Sequence, residues 1–456
     1  MLYTSPALVR PVRVITLGML CTSSYGGPEG RGGEVAHLPP GPYEDVDRTD
    51  SGEAMKTQGR DRNVVFLSGT RSGFGSFGGT LKDFSATQLG AITAKHAIER
   101  SGVPPGEFDH VVFGNAQQTS ADAIYLARHV GLQSGLSIET PAVTVNRLCG
   151  SGFESIIQGA QQILLDESRV VLAGGAESMS QAPHVVRGAR WGIRLGPQAQ
   201  FEDSLWEALT DPQCGFSMAE TAEKLAEKYK LNRRDVDDVA VRSQQRSAQA
   251  WKDCIFTDEV VPVPVKNRKT RETEDWAADE HIRANTTQAI LAGLKPYFKK
   301  DGLVTAGNAS GICDGAAATV IASEDFAESN GLKPLGRLVS WAVAGVEPQF
   351  MGIGPAPASR KALEKAGLSL SDIDLVEINE AFAPQYLAVE RELGLDPEKT
   401  NVHGGAIAIG HPLAASGTRI TIHLLHALRR SGLRYGLGSA CIGGGQGAAV
   451  IVEAFS

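Results

Sequence analysis

The chain has 456 residues, more than one ordinary domain, and its 42% apolar content is enough for two or three buried cores. A formal net charge of −8 leaves no global basic surface, which argues against a nucleic-acid or membrane-surface role. No apolar run approaches the roughly 20 residues of a transmembrane helix. The cysteines (Cys21, Cys149, Cys214, Cys254, Cys313, Cys441) form neither a CxxC pair nor a zinc-ligand spacing, which argues for reduced intracellular thiols and no metal site.

Taken in chain order, residues 1–61 are rich in Gly, Pro, Ser and Arg without apolar periodicity, which predicts a disordered extension. Arg10 and Arg13, with no acid before Glu29, raise an organelle-targeting segment as the alternative to a cytoplasmic protein whose natural start is Met55. The folded part opens with the strand "NVVFLSG" from Asn63. The helix "SATQLGAITAKHAIERSG", the strand "HVVFGN", the helix "ADAIYLARHVGL" and the strand "AVTVN" follow. Apolar residues at Phe153, Ile156, Ile157, Ala160, Ile163 and Leu164 mark the next helix, and "RVVLAGGAES" the next strand. Short apolar strands alternating with amphipathic helices predict parallel βαβ units. The second half repeats the first in register: Ala97 recurs as Ala362, Gly102 as Gly367, Asp109 as Asp374, and Ser151-Gly152 as Ser416-Gly417. This is a duplicated α/β domain. A polar insertion over residues 181–308, with the helix "MAETAEKLAEKYKL", separates the halves like a lid.

Four elements carry candidate chemistry. Cys149 in "NRLCGSG" ends a strand and begins a helix, where unpaired N–H groups stabilise a thiolate. The alternative is a small buried apolar cysteine. His411 in "GGAIAIGHPLAASG" occupies the matching turn of the second repeat. A pseudo-twofold arrangement would bring it to Cys149 as an activating base; otherwise it caps a helix or fills the core. Cys441 in "CIGGGQG" lies in a turn suited to oxyanion-binding N–H groups, or is a packed thiol. Asn379 in "NEAFA" either holds a water or carbonyl or simply forms a turn.

Together with "AGGAESMS", "TAGNASG" and "MGIGP", all in family order, these motifs closely resemble the thiolase family, from about Val64 to the C-terminus and in detail the bacterial β-ketothiolases. The resemblance implies an α/β fold of two duplicated βαβαβαββ domains, residues 62–180 plus 309–333 and residues 334–456, with 181–308 as the CoA-binding loop domain. It implies acyl transfer between CoA thioesters through an acyl-cysteine. Cys149 would be the nucleophile, His411 its base and part of an oxyanion hole, Cys441 the acid/base for a carbon-bound proton, and Asn379 the holder of a water in that hole. The N–H groups of Cys149 and Gly443 would form a second hole. Ser310, Arg283, Met218, Phe298, Met351, Ala306 and Phe382 would line the CoA and acyl tunnel. CoA would be a substrate, with no metal or redox cofactor required, and a dimer or tetramer is expected by analogy.

The chain departs from the family pattern at Ser217 (usually His), Cys313 (usually Asn) and Phe153 (usually a smaller aliphatic), so acyl-chain and CoA details are where it should differ. A non-catalytic acyl-CoA- or lipid-binding relative should lack one of Cys149, His411 and Cys441. A ketoacyl synthase should lack the second cysteine.

Overall fold

The computed structural model describes residues 63–193, 200–267 and 270–455, so the expected extension and targeting segment lie outside the described residues. Strand β1 (Val64–Ser72) is followed by helix α1 (Ala86–Ser101). The Ser85 hydroxyl caps that helix by accepting from the Gln88 N–H, while Gln88 accepts from the Ser85 N–H. Then come β2 (His110–Gly114), α2 (Leu126–Gln133), β3 (Ala142–Val145), α3 (Ser151–Leu164) and β4 (Val170–Ser178). The insertion carries α4 (Met218–Lys228) and α5 (Arg233–Lys252). Beyond it lie β5 (Cys313–Ser323), β6 (Gly336–Gly345), α6 (Pro355–Ala366), β7 (Leu375–Ile378), α7 (Ala383–Leu393), α8 (Ser416–Ser431), β8 (Tyr435–Ile442) and β9 (Gln446–Ala454).

The main sheet runs β7-β8-β9-β6-β1-β5-β4-β2-β3. From its centre outward the two sides match. β1-β5-β4-β2-β3 lies on one side. β6-β9-β8-β7 lies on the other, extended by a bridge from Val376 to Thr400. The halves join where β1 pairs antiparallel with β6, Val64 opposite Leu338. The parallel pairing expected of βαβ units holds for β2–β3, β2–β4 and β7–β8, whereas the pairs towards the centre are antiparallel. The reason lies in the connections. A helical crossover returns the chain in the same direction, while β8 turns directly into β9 through Gly443–Gly445. The insertion also contributes to this sheet, because Val260–Val261 pairs with the end of β1.

Helices α3 and α8 come from equivalent places in the two halves and bury a common apolar face. Phe153, Ile156, Ile157 and Ala160 meet Ile420, Leu424, Leu425 and Leu428 in one cluster. The closest approach is at Gly152 and Gly417. A Cβ on Gly152 would stand 2.6 Å from the Thr418 nitrogen, and one on Gly417 2.3 Å from the Phe153 nitrogen. Only glycine fits at either place. Because the two helices touch at their first turns, the loops that precede them, bearing Cys149 and His411, open on the same side. Among the described residues no helix is long and apolar enough to cross a membrane.

Candidate active site

Cys149 follows Leu148, whose φ of 47° lies in the left-handed region that side chains avoid. Leu148–Gly150 form a 3₁₀ turn that leads into α3, and Cys149 is left half-buried. The N–H groups of Gly443 and of Cys149 itself point at its sulfur, and both favour the thiolate. Burial outweighs them, with the Glu177 charge adding to it, and pushes the thiol up to about 11. The activated thiolate expected from the helix terminus is therefore not the resting state; the resting group is a neutral thiol.

His411 is 5% exposed. Its Nδ1 lies 2.6 Å from Ser416 Oγ, whose hydroxyl donates to the Pro412 carbonyl at 3.2 Å. The hydroxyl hydrogen is thereby committed, so Ser416 accepts and Nδ1 carries the proton. Nε2 is left as the acceptor, 3.3 Å from Asn379 Nδ2. Burial first, and then the Arg419 charge, pull the imidazole down to about 3. His411 should consequently stay neutral between pH 8 and 5, and its ring ¹⁵N shifts should not move over that range. A titration centred near 6.5 would contradict this geometry.

Cys441, at the end of β8, is 1% exposed and packs with Met218, Met351, Ala381 and Phe382. Burial and the neighbouring Cys149 raise its thiol far above its usual range. Asn379 follows β7. Its N–H donates to the Ser439 carbonyl at 2.9 Å, and its buried Oδ1 has no partner among the described residues.

Cys149, His411 and Cys441 share one cavity of about 480 Å³. Its walls include Met218, Phe298, Ala306, Ser310, Met351 and Phe382, all expected there from the sequence. The loop bearing Ser310 docks on the "NEAFA" turn: Ser310 N–H donates to the Ala381 carbonyl at 3.0 Å, and Ala383 N–H to that of Asn308 at 2.9 Å. Arg283 lines an adjoining cavity of about 290 Å³ with His281 and Gln244. The two cavities share Ala306, Ala309 and Gly311 in their walls, so they lie side by side. Among the described residues no group of three His, Cys, Asp or Glu side chains is placed to hold a metal ion.

Residues 64–325 match the thiolase N-terminal domain family and residues 332–454 the thiolase C-terminal domain family. The chain belongs to the thiolase family. It is 56% identical over 392 residues to the human mitochondrial 3-ketoacyl-CoA thiolase, covering 86% of this chain and 98% of that relative. It is 48% identical over 393 residues to the β-ketothiolase BktB of Cupriavidus necator, covering 86% and 99%. The crystal structure of the human mitochondrial 3-ketoacyl-CoA thiolase superposes with a TM-score of 0.85 at 55% identity, covering 87% of this chain and 99% of that one. The human enzyme in complex with CoA gives 0.84 at 55% identity, covering 86% and 98%.

Within this thiolase the three departures fall in different places. Ser217 lines the cavity, but its hydroxyl also N-caps α4 in a capping box with Glu220. Phe153 does not reach the cavity, because it is fully buried between α3 and α8. Cys313 lies buried behind the cavity wall, its sulfur 2.9 Å from where a Gly410 Cβ would stand. The sequence reading missed Trp206, Tyr297 and Lys295 in the wall. Trp206 stacks on Phe298 at 6.2 Å, and Tyr297 meets Phe298 edge-on at 5.2 Å. They belong to loop and short-helix segments of the insertion, where no periodic pattern singles out a residue.

Proposed function

We propose that the enzyme runs the thiolase reaction, 3-oxoacyl-CoA plus CoA to acyl-CoA plus acetyl-CoA or its reverse, with Cys149 as the acylated residue. The observation that carries this reading is the shared cavity of two thiols and a neutral imidazole whose unprotonated nitrogen is Nε2. In the cleavage direction Nε2 takes the Cys149 proton as the sulfur attacks the 3-carbonyl carbon. The C2–C3 bond breaks, Cys441 protonates the departing enolate, and acetyl-CoA leaves. The CoA thiol gives its proton to the Cys441 thiolate as its sulfur attacks the acyl-cysteine, acyl-CoA leaves, and His411 returns its proton to the Cys149 sulfur. The N–H groups of Cys149 and Gly443, which already converge on the sulfur, suit the oxyanion of the tetrahedral intermediate. Asn379 beside His411, with its unpartnered Oδ1, suits a water in the second oxyanion hole. A thioester intermediate keeps the reactivity of the CoA thioester, which a serine ester would lose. CoA is a substrate in these steps, and no other cofactor enters them.

Cys149 packs against an apolar cluster that includes Met179 and Leu413, and these two with Leu209 and Ile312 line its cavity, an apolar wall that favours short-to-medium acyl chains over acetyl alone. The test is loss of the enolate absorbance of acetoacetyl-CoA with free CoA, extended to longer 3-oxoacyl substrates. The expected result is turnover that continues beyond acetoacetyl-CoA. No loss of absorbance contradicts the thiolase reading, and activity confined to acetoacetyl-CoA contradicts the chain-length reading. The chain retains Cys149, His411 and Cys441, which counts against a non-catalytic binding protein.

A homo-oligomer is also part of the proposal. Strand β3 is an edge of the sheet, and near it Ile124, Tyr125, Ile138 and Val143 are exposed. A paired edge would cover such a row. Light scattering of the purified chain gives its mass directly. The cytoplasm remains the proposed location, and imaging the full chain beside one lacking residues 1–61 distinguishes it from an organelle.

A further inference from the structure

The motif "AGGAESMS" gives the mechanism above no residue, yet it holds a fully buried carboxylate beside the active site. Glu177 sits on β4 with no exposed surface. Its Oε1 accepts from the Gln117 N–H at 2.9 Å and from Asn115 Nδ2 at 3.1 Å. Its Oε2 accepts from the Ala116 N–H at 3.2 Å and the Ala414 N–H at 3.1 Å. Ala414 belongs to the His411 turn in the second half of the chain; residues 115–117 belong to the first half. The link then continues toward the nucleophile. Asn146 Nδ2 donates to the Ala116 carbonyl at 3.0 Å, and Asn146 Oδ1 accepts from the Leu148 N–H at 2.9 Å. Leu148 is the left-handed residue that aims Cys149. The His411 turn lies tight on β4: a Cβ at Gly175 would stand 1.9 Å from the Ala414 carbonyl oxygen.

We infer that Glu177 is a positioning residue for the thiolase reaction, joining the His411 turn to the Cys149 turn through the 115–117 loop and Asn146. The inference rests on the thiolase reading above. All four partners of the carboxylate are donors, which suits the ionised form; burial opposes them and raises Glu177 to about 7. The charged or titratable groups it influences or that influence it are Asp314, Cys149 and Cys313. Glutamine has nearly the same shape but only one acceptor oxygen. Whichever way its amide turns, two N–H donors face an NH₂ group.

Glu177→Gln should lower kcat about 100-fold, the usual cost of a small misplacement of reacting groups, with KM changed less than about threefold. It should also move the pH midpoint for iodoacetamide alkylation of Cys149, read on the Cys149 peptide by mass spectrometry, downward, because a neighbouring negative charge is gone. A structural residue without a charge beside Cys149 would not move that midpoint, and one that only supplied charge would not lower kcat at constant KM. Asn146→Ala is the second variant. Asn146 is exposed, so folding should tolerate the change, while kcat should fall about tenfold. Wild-type kcat in either variant, or an unmoved alkylation midpoint in Glu177→Gln, overturns the inference. An inactive wild-type enzyme would defeat the thiolase reading instead, and the alkylation profile would still test Glu177.

Discussion

Cys149→Ala should lower thiolysis of acetoacetyl-CoA by at least about 10⁴-fold, the scale seen when a covalent nucleophile is removed. The loss should be in kcat. The cavity walls contributed by Met218, Phe298, Ala306 and Ser310 are untouched, so the dissociation constant for CoA should change by no more than about threefold. Folding should be preserved, because Cys149 is half-buried and the change removes one sulfur atom. Calorimetric titration with CoA and steady-state kinetics together check this. A variant that keeps a tenth of its activity would show that the chemistry does not pass through Cys149.

The second large effect separates the two halves of the reaction. Cys441→Ala should reduce carbon–carbon bond cleavage and formation by about 10²- to 10⁴-fold, the range expected when a general acid/base is lost. Acetyl exchange between acetyl-CoA and labelled free CoA needs only a nucleophile and its base. Cys149 and His411 remain, and that exchange should persist within about tenfold of wild type. The structure motivates the split. The Cys441 thiol is raised by burial and by Cys149, so at neutral pH it holds its proton, the form required of an acid toward an enolate. Loss of both activities in equal measure would mean that Cys441 supports the site rather than transfers a proton.

The grouping of Cys149, His411 and Cys441 around one cavity was legible because its signals are local. A cysteine before Gly-Ser-Gly, a His-Pro turn and a Gly-rich turn each announce a strand-end loop, and the internal repeat says which loops face each other. Gly152 and Gly417 give that repeat its physical meaning: two helices from the two halves can touch only where both lack a Cβ. What stayed hidden depends on long-range packing. The thiol of Cys149 was expected to be lowered by its helix terminus, but the loss of water around it decides the sign, and that depends on the surroundings the assembled halves create. Phe153 was expected to bear on the acyl chain; its place on the α3 face turns it into the core against α8. Trp206, Tyr297 and Lys295 reach the cavity from irregular segments with no periodicity to read. Glu177 lay within a recognised motif, but its partners, at 115–117 and 414, are scattered along the chain.

The most direct test of the account is to trap the covalent intermediate. The protein is mixed with acetyl-CoA, quenched in acid, digested and analysed by mass spectrometry. Acetyl on the peptide containing Cys149, missing from Cys149→Ala and still present in Cys441→Ala, is the predicted result. Acetyl on Cys441 instead, or no acetylated cysteine at all in an active preparation, would contradict it.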